Sequence, residues 1–141
     1  MAELEARAGG VQQPRPLSPH LSIYKATMTM AMSIMHRITG AALYVGTLLL
    51  AWWLIAAAYG PNAYANFEWF MGSIVGRLIL FGYTWALIHH MLGGIRHLIW
   101  DTIHGFEPAE REMLARATLI GSVAFTLILW AIGYLVIGGP R

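Results

Sequence analysis

Residues 38–58 read ITGAALYVGTLLLAWWLIAAA, a run without Asp, Glu, Lys or Arg. Wound as a helix, it is roughly 31 Å long at 1.5 Å per residue. That matches the ~30 Å hydrocarbon core of a bilayer. Two further runs have the same character. Residues 78–95, LILFGYTWALIHHMLGGI, span roughly 27 Å, and residues 117–139, ATLIGSVAFTLILWAIGYLVIGG, roughly 34 Å. The whole chain of 141 residues is 57% hydrophobic and 11% charged, with mean hydropathy +0.57. Soluble domains carry about 25% charged residues. The expectation is therefore an all-α membrane protein with three transmembrane helices. With their polar ends added, the spans are predicted at about 31–58, 70–103 and 113–138. They form one unit, 31–141, behind a cytoplasmic or interfacial segment over residues 1–30.

Composition also excludes function classes. The chain has no cysteine, which removes disulfides, thiolate metal sites and cysteine nucleophiles. The net charge is only +2 and the basic residues are dispersed, so a pI near 9.2 implies no nucleic-acid partner. The N-terminus lacks an apolar core and carries Glu3 and Glu5, which predicts neither a signal nor a transit peptide. Pro14, Pro16 and Pro19 predict an irregular or extended stretch over Gln13–Pro19, and PHLSIYKATM suits a short interfacial segment. Between the first two spans, Gly60-Pro61-Asn62 is a breaker cluster, and Tyr59, Tyr64, Phe67 and Trp69 suit an interfacial aromatic belt. Glu107-Pro108, with Glu110 and Glu112, marks the start of the third helix. Arg7, Arg15, Lys25 and Arg37 precede the first span, and Arg96, Arg111 and Arg116 lie between the second and third. The other side has Arg77 and Arg141. This asymmetry predicts a cytoplasmic N-terminus and an external C-terminus.

Working outward from residue 38, the preceding SIMHR (33–37) places Ser33, His36 and Arg37 where the first span begins. On the second span His90, Arg96, His97 and Asp101 lie toward the same aqueous side. Ionisable groups inside a span are costly and face a protein interior or a ligand. Two helices that concentrate them at one depth predict a shared site. His90, Gly94, His97 and Asp101 fall on one stripe of the second span. Gly93 and Gly94 have no side chain to block close approach, which suits either helix packing or a flat bulky ligand. Imidazole beside glycines, in a chain without cysteine, points to haem, whose iron takes an imidazole nitrogen. His36, Arg37 and Arg96 stand at the level where its propionates would need cations. His89 lies about 100° from His90, so only one of the pair can serve that ligand, and spacing does not choose between them. Ser33 and Arg37, four apart, share a face. They suit either a carbonyl-bearing head group or a plain helix start with a snorkelling arginine.

The motifs RPLSPHLSIYK, SIMHRITG and HHMLGGIRHLIWD resemble those of the large cytochrome b membrane-anchor subunits of succinate dehydrogenase, respiratory complex II. The likeness runs from residue 15 to about 104, and the three-span layout extends it. The second motif matches S-I-x-H-R-x-[ST]-G. The third matches H-x-x-x-G-[IL]-R-H-[LM]-x-x-D, with His90 at its first histidine. The resemblance implies a subunit of succinate:quinone oxidoreductase that is inactive alone. It implies haem b shared with a small membrane-anchor subunit, ubiquinone as substrate, and docked iron–sulfur and flavoprotein subunits. His90 becomes the axial iron ligand. His36, Arg37, Gly94 and His97 border the haem, Ser33 and Arg37 line the quinone pocket, and Asp101 stands on a proton path. His89 departs from the family pattern, where a neutral residue often precedes the ligand. The implied location is a bacterial inner membrane. The competing expectations are a fumarate reductase anchor and a haem-free anchor with a histidine proton relay.

Overall fold

The computed structural model describes residues 16–136 and 138. The expectations for Glu3, Glu5, Arg7, Gln13–Arg15 and Arg141, and for the outer ends of the N-terminal segment and third span, lie outside the described residues. Every regular element among the described residues is helical: α1 (His20–Ile23), α2 (Met28–Tyr59), α3 (Pro61–Gly72), α4 (Ile74–Asp101) and α5 (Pro108–Val136). Three of them, α2, α4 and α5, are long and apolar enough to cross a membrane. At 32, 28 and 29 residues they reach about 48, 42 and 44 Å.

The ends of these helices follow local chemistry. Thr27 caps α2, its hydroxyl accepting from the Met30 N–H at 3.4 Å. Gly60 ends α2 with φ +108°, a conformation that favours glycine. Pro61 then occupies the first turn of α3, where its missing N–H costs nothing. The expected loop between the first two spans is thus mostly a helix. Gly60-Pro61 does break the chain, but helix resumes at once, because α3 can pack its aromatic face back on α2. Trp52 meets Phe67 edge-on at 5.0 Å and Phe70 at 5.3 Å. Trp69 stays exposed, as a belt residue would. Ser73 accepts from the Gly76 N–H at 3.1 Å and starts α4. A Cβ at Gly76 would strike the backbone of Phe70 and Met71, so this turn needs a glycine.

The register is read from cross-helix pairs. Gly46 lies against Tyr83, Thr39 against His90 and His36 against Gly93, so α2 and α4 are antiparallel. His89 pairs with Ser122 and Thr84 with Trp130, so α4 and α5 are antiparallel too. Thr27–Thr29 at the start of α2 and Pro108, Arg111 and Glu112 at the start of α5 line one small cavity. The polar starts of α2 and α5 and the polar end of α4 therefore share one side, as expected. Few apolar side chains are buried: Met32, Ala56, Met71, Ala86 and Ala115. Leu48, Ile120 and Leu135 face outward. In water such a surface would drive association; in a bilayer, lipid and neighbouring helices cover it.

Candidate functional site

Toward the polar ends of α2 and α4 the two helices meet through histidines. The His36 and His90 rings stack at 3.9 Å between centroids, 6° from parallel. His97, about two turns further along α4, tilts against His36 at 5.5 Å. A Cβ at Gly93 would run into the His36 ring, so the glycine is what allows this approach. Gly94, by contrast, faces open space. The two glycines, equivalent in the sequence, have separate uses: one admits the His36 ring and the other leaves the helix surface bare.

The hydrogen bonds around His90 decide its tautomer. Its Nδ1 lies 3.2 Å from the His36 carbonyl and 3.4 Å from the Thr39 hydroxyl. The Thr39 hydrogen is spent on the Met35 and His36 carbonyls, both at 3.0 Å. Both neighbours of Nδ1 are then acceptors, so Nδ1 carries the proton and donates. Nε2 is left with its lone pair, since both hydrogen bonds of the ring among the described residues are made by Nδ1. Gly40 stands beside the Nδ1–Cε1 edge of the ring, where a Cβ would come within 2.9 Å of Cε1. A backbone carbonyl that holds Nδ1–H fixes the ring and its tautomer and leaves Nε2 free to bind a metal, as is usual for metal-binding histidines.

His89 is placed otherwise. It is 1% exposed, between α4 and α5, with Nδ1 3.1 Å from the Ser122 hydroxyl and its ring against Trp85. No flat group of macrocycle size reaches it there. The pair that spacing left open is separated by the fold: His89 is turned inward, and His90, half-buried, faces the α2–α4 seam. Along that seam, from Ala41 and Ala42 to Val45 on α2 and at Ile79, Gly82 and Tyr83 on α4, runs an open groove of about 670 Å³ with almost wholly apolar walls.

Ser33 and Arg37 lie one turn apart on α2, both exposed and without a partner among the described residues. Asp101 ends α4, exposed. Arg96, expected at the level of the propionates, is 4% exposed, with its guanidinium 5.2 Å from the Trp100 ring centre and its Nε unpartnered. The structure thus brings together His36, His90 and His97, with Gly94 on the same helix, and leaves Ser33, Arg37 and Asp101 open at the rim. Sequence reasoning missed Thr39 and Ser122. Thr39 sits within SIMHRITG. Ser122 belongs to an i, i+4 stripe, Thr118, Ser122 and Thr126, all buried. Small polar residues at that spacing in an apolar run were the available signal.

Residues 12–129 match the sequence profile of the succinate dehydrogenase/fumarate reductase transmembrane subunit. The chain is 43% identical over 114 residues to the succinate dehydrogenase cytochrome b556 subunit of Paracoccus denitrificans, covering 81% of this chain and 88% of that one. It is 36% identical over 120 residues to the protein of the same name from Rickettsia felis, covering 85% and 94%. The mitochondrial succinate dehydrogenase cytochrome b560 subunit of Sus scrofa is 42% identical over 113 residues, covering 77% of this chain and 66% of its own.

Proposed function

The chain belongs to the succinate dehydrogenase/fumarate reductase transmembrane subunit family, and from that premise we propose that it anchors a succinate:quinone oxidoreductase in a bacterial inner membrane and holds haem b through Nε2 of His90. The observation that carries the ligand assignment is the hydrogen bond from His90 Nδ1–H to the His36 carbonyl, which fixes the ring and leaves Nε2 unpaired. The residues present fit the group. Gly40 admits the His90 ring, Gly94 leaves the helix surface bare, the apolar groove supplies walls, and His36 stacks on His90 with His97 tilted against His36. Arg37 supplies charge at the rim for the propionates. A bound haem b would offer a one-electron redox centre within the membrane. His90 would hold and orient it, with a small membrane-anchor subunit sharing the site.

Quinone reduction belongs at the same rim. A quinone is apolar, so its pocket must open to lipid, yet its carbonyls gain negative charge and take up two protons on reduction. Arg37 stays charged and Ser33 can donate, so the pair stabilises the reduced form more than the oxidised one. His97 and Asp101, nearer water, order that edge and carry protons to it. The succinate chemistry takes place in the flavoprotein subunit, and electrons arrive through the iron–sulfur subunit; the chain is not catalytic alone. The named relatives favour the succinate-oxidising direction over fumarate reduction.

The test is a reduced-minus-oxidised spectrum of the purified complex. Haem b bands are expected, and His90→Leu should abolish them while His89→Leu keeps them. Bands that survive His90→Leu would refute the assignment.

A further inference from the structure

Two adjacent histidines on α4 are each tied to a different helix at one level. His90 donates to the His36 carbonyl of α2, and His89 meets Ser122 of α5. The Ser122 hydroxyl donates to the Leu119 carbonyl at 2.8 Å, so its oxygen is free only to accept. His89 Nδ1 must then be the donor, and the bond has one sense and one tautomer. The stripe neighbours Thr118 and Thr126 spend their hydroxyls on the Leu114 and Ser122 carbonyls of their own helix. Ser122 is thus the side chain of that stripe that reaches across to α4. Another polar tie between α4 and α5 is Trp130 to Thr84, longer at 3.3 Å and more than a turn away.

We propose that His89 is a positioning residue for the haem ligand: through Ser122 it fixes the rotation of α4 about its axis and so sets the direction in which His90 presents Nε2. The geometry makes the lever short. The two residues are separated by about 100° of helix, so any turn of α4 moves both. A rotation of about 20° displaces a group about 6 Å from the axis by about 2 Å. The His90–His36 hydrogen bond at 3.2 Å does not survive such a displacement. Wobble of α4 would therefore release the ring that the backbone carbonyl holds. The inference rests on His90 as the ligand.

It is tested in the assembled complex with Ser122→Ala, His89→Leu and His89→Gln, beside His90→Leu. The readouts are haem per complex and the low-field electron paramagnetic resonance signal of the oxidised haem, which follows the orientation of the axial imidazoles. Ser122→Ala and His89→Leu should retain haem but shift and broaden that signal. His89→Gln, which can still donate to Ser122, should restore it toward the wild-type form. Wild-type signals in both Ser122→Ala and His89→Leu would overturn the proposal. So would failure of both to assemble, because the bond would then serve folding; if only His89→Leu fails, Ser122→Ala decides. Haem retained by His90→Leu would sink the ligand assignment itself, a separate outcome.

Discussion

At Gly93 a hydrogen in place of a side chain lets the His36 ring lie flat against α4, while at Gly94 the same hydrogen touches nothing. Their substitutions should therefore fail differently. Gly93→Val forces a methyl into the imidazole, and overpacking of this kind costs about 1–3 kcal/mol. The expected outcome is less assembled complex, measured as haem and flavin recovered together from membranes. Gly94→Leu meets no neighbour in this chain, so the complex should assemble with flavin at its usual level but with reduced haem. Normal haem in that variant would confine Gly94 to helix packing. Arg37 is exposed and bears on none of these contacts. Arg37→Leu should lower quinone reduction at least about tenfold, corresponding to about 1.4 kcal/mol of transition-state stabilisation. Succinate oxidation by a soluble dye should be nearly unchanged; an equal fall in both activities would assign Arg37 to assembly.

Helices α2 and α4 meet through small residues, and the tightest point away from the histidines is Gly46 under Tyr83. Gly46→Leu should push the two helices apart and destabilise the chain more than Leu48→Ala on the exposed face, as read by thermal release of haem. Interhelical hydrogen bonds in membranes average about 0.6 kcal/mol. Ser122→Ala should accordingly leave assembly intact, which is why that bond is better understood as directing α4 than as strengthening it. Much of this level was legible in the sequence. The uncharged runs gave the three spans, and the polar residues at matching depth gave the α2–α4 meeting. The assignment of His89 and His90 to different neighbours was not legible, because 100° of separation says that they diverge without saying where α5 stands. Helix α3 was hidden by its own start signal: Gly60-Pro61 breaks one helix and begins another. The burial of Arg96 was hidden as well, since its position near the span end gives its depth but not that its side chain packs on Trp100.

For the molecule as a whole, three antiparallel crossings put residues near α1 and the α4–α5 connection on one side and α3 on the other. The natural absence of cysteine makes this easy to check. Single substitutions Ser22→Cys and Thr102→Cys should react with an impermeant thiol reagent from the same side, and Asn66→Cys from the opposite side only. Reaction of all three from one side would contradict the three-span arrangement. The lengths of the helices carry a last consequence. The uncharged part of α2 matches an ordinary hydrocarbon layer, but the full helix is longer by about 17–18 Å. Ser33 and Arg37 thus occupy a turn whose wetness is decided by the host lipid. In vesicles of long-chain phospholipids that turn is drawn below the headgroups, the guanidinium loses its water, and quinone turnover should slow. In short-chain vesicles it stays hydrated, so the composition of the membrane acts as a rheostat on the rim of this subunit.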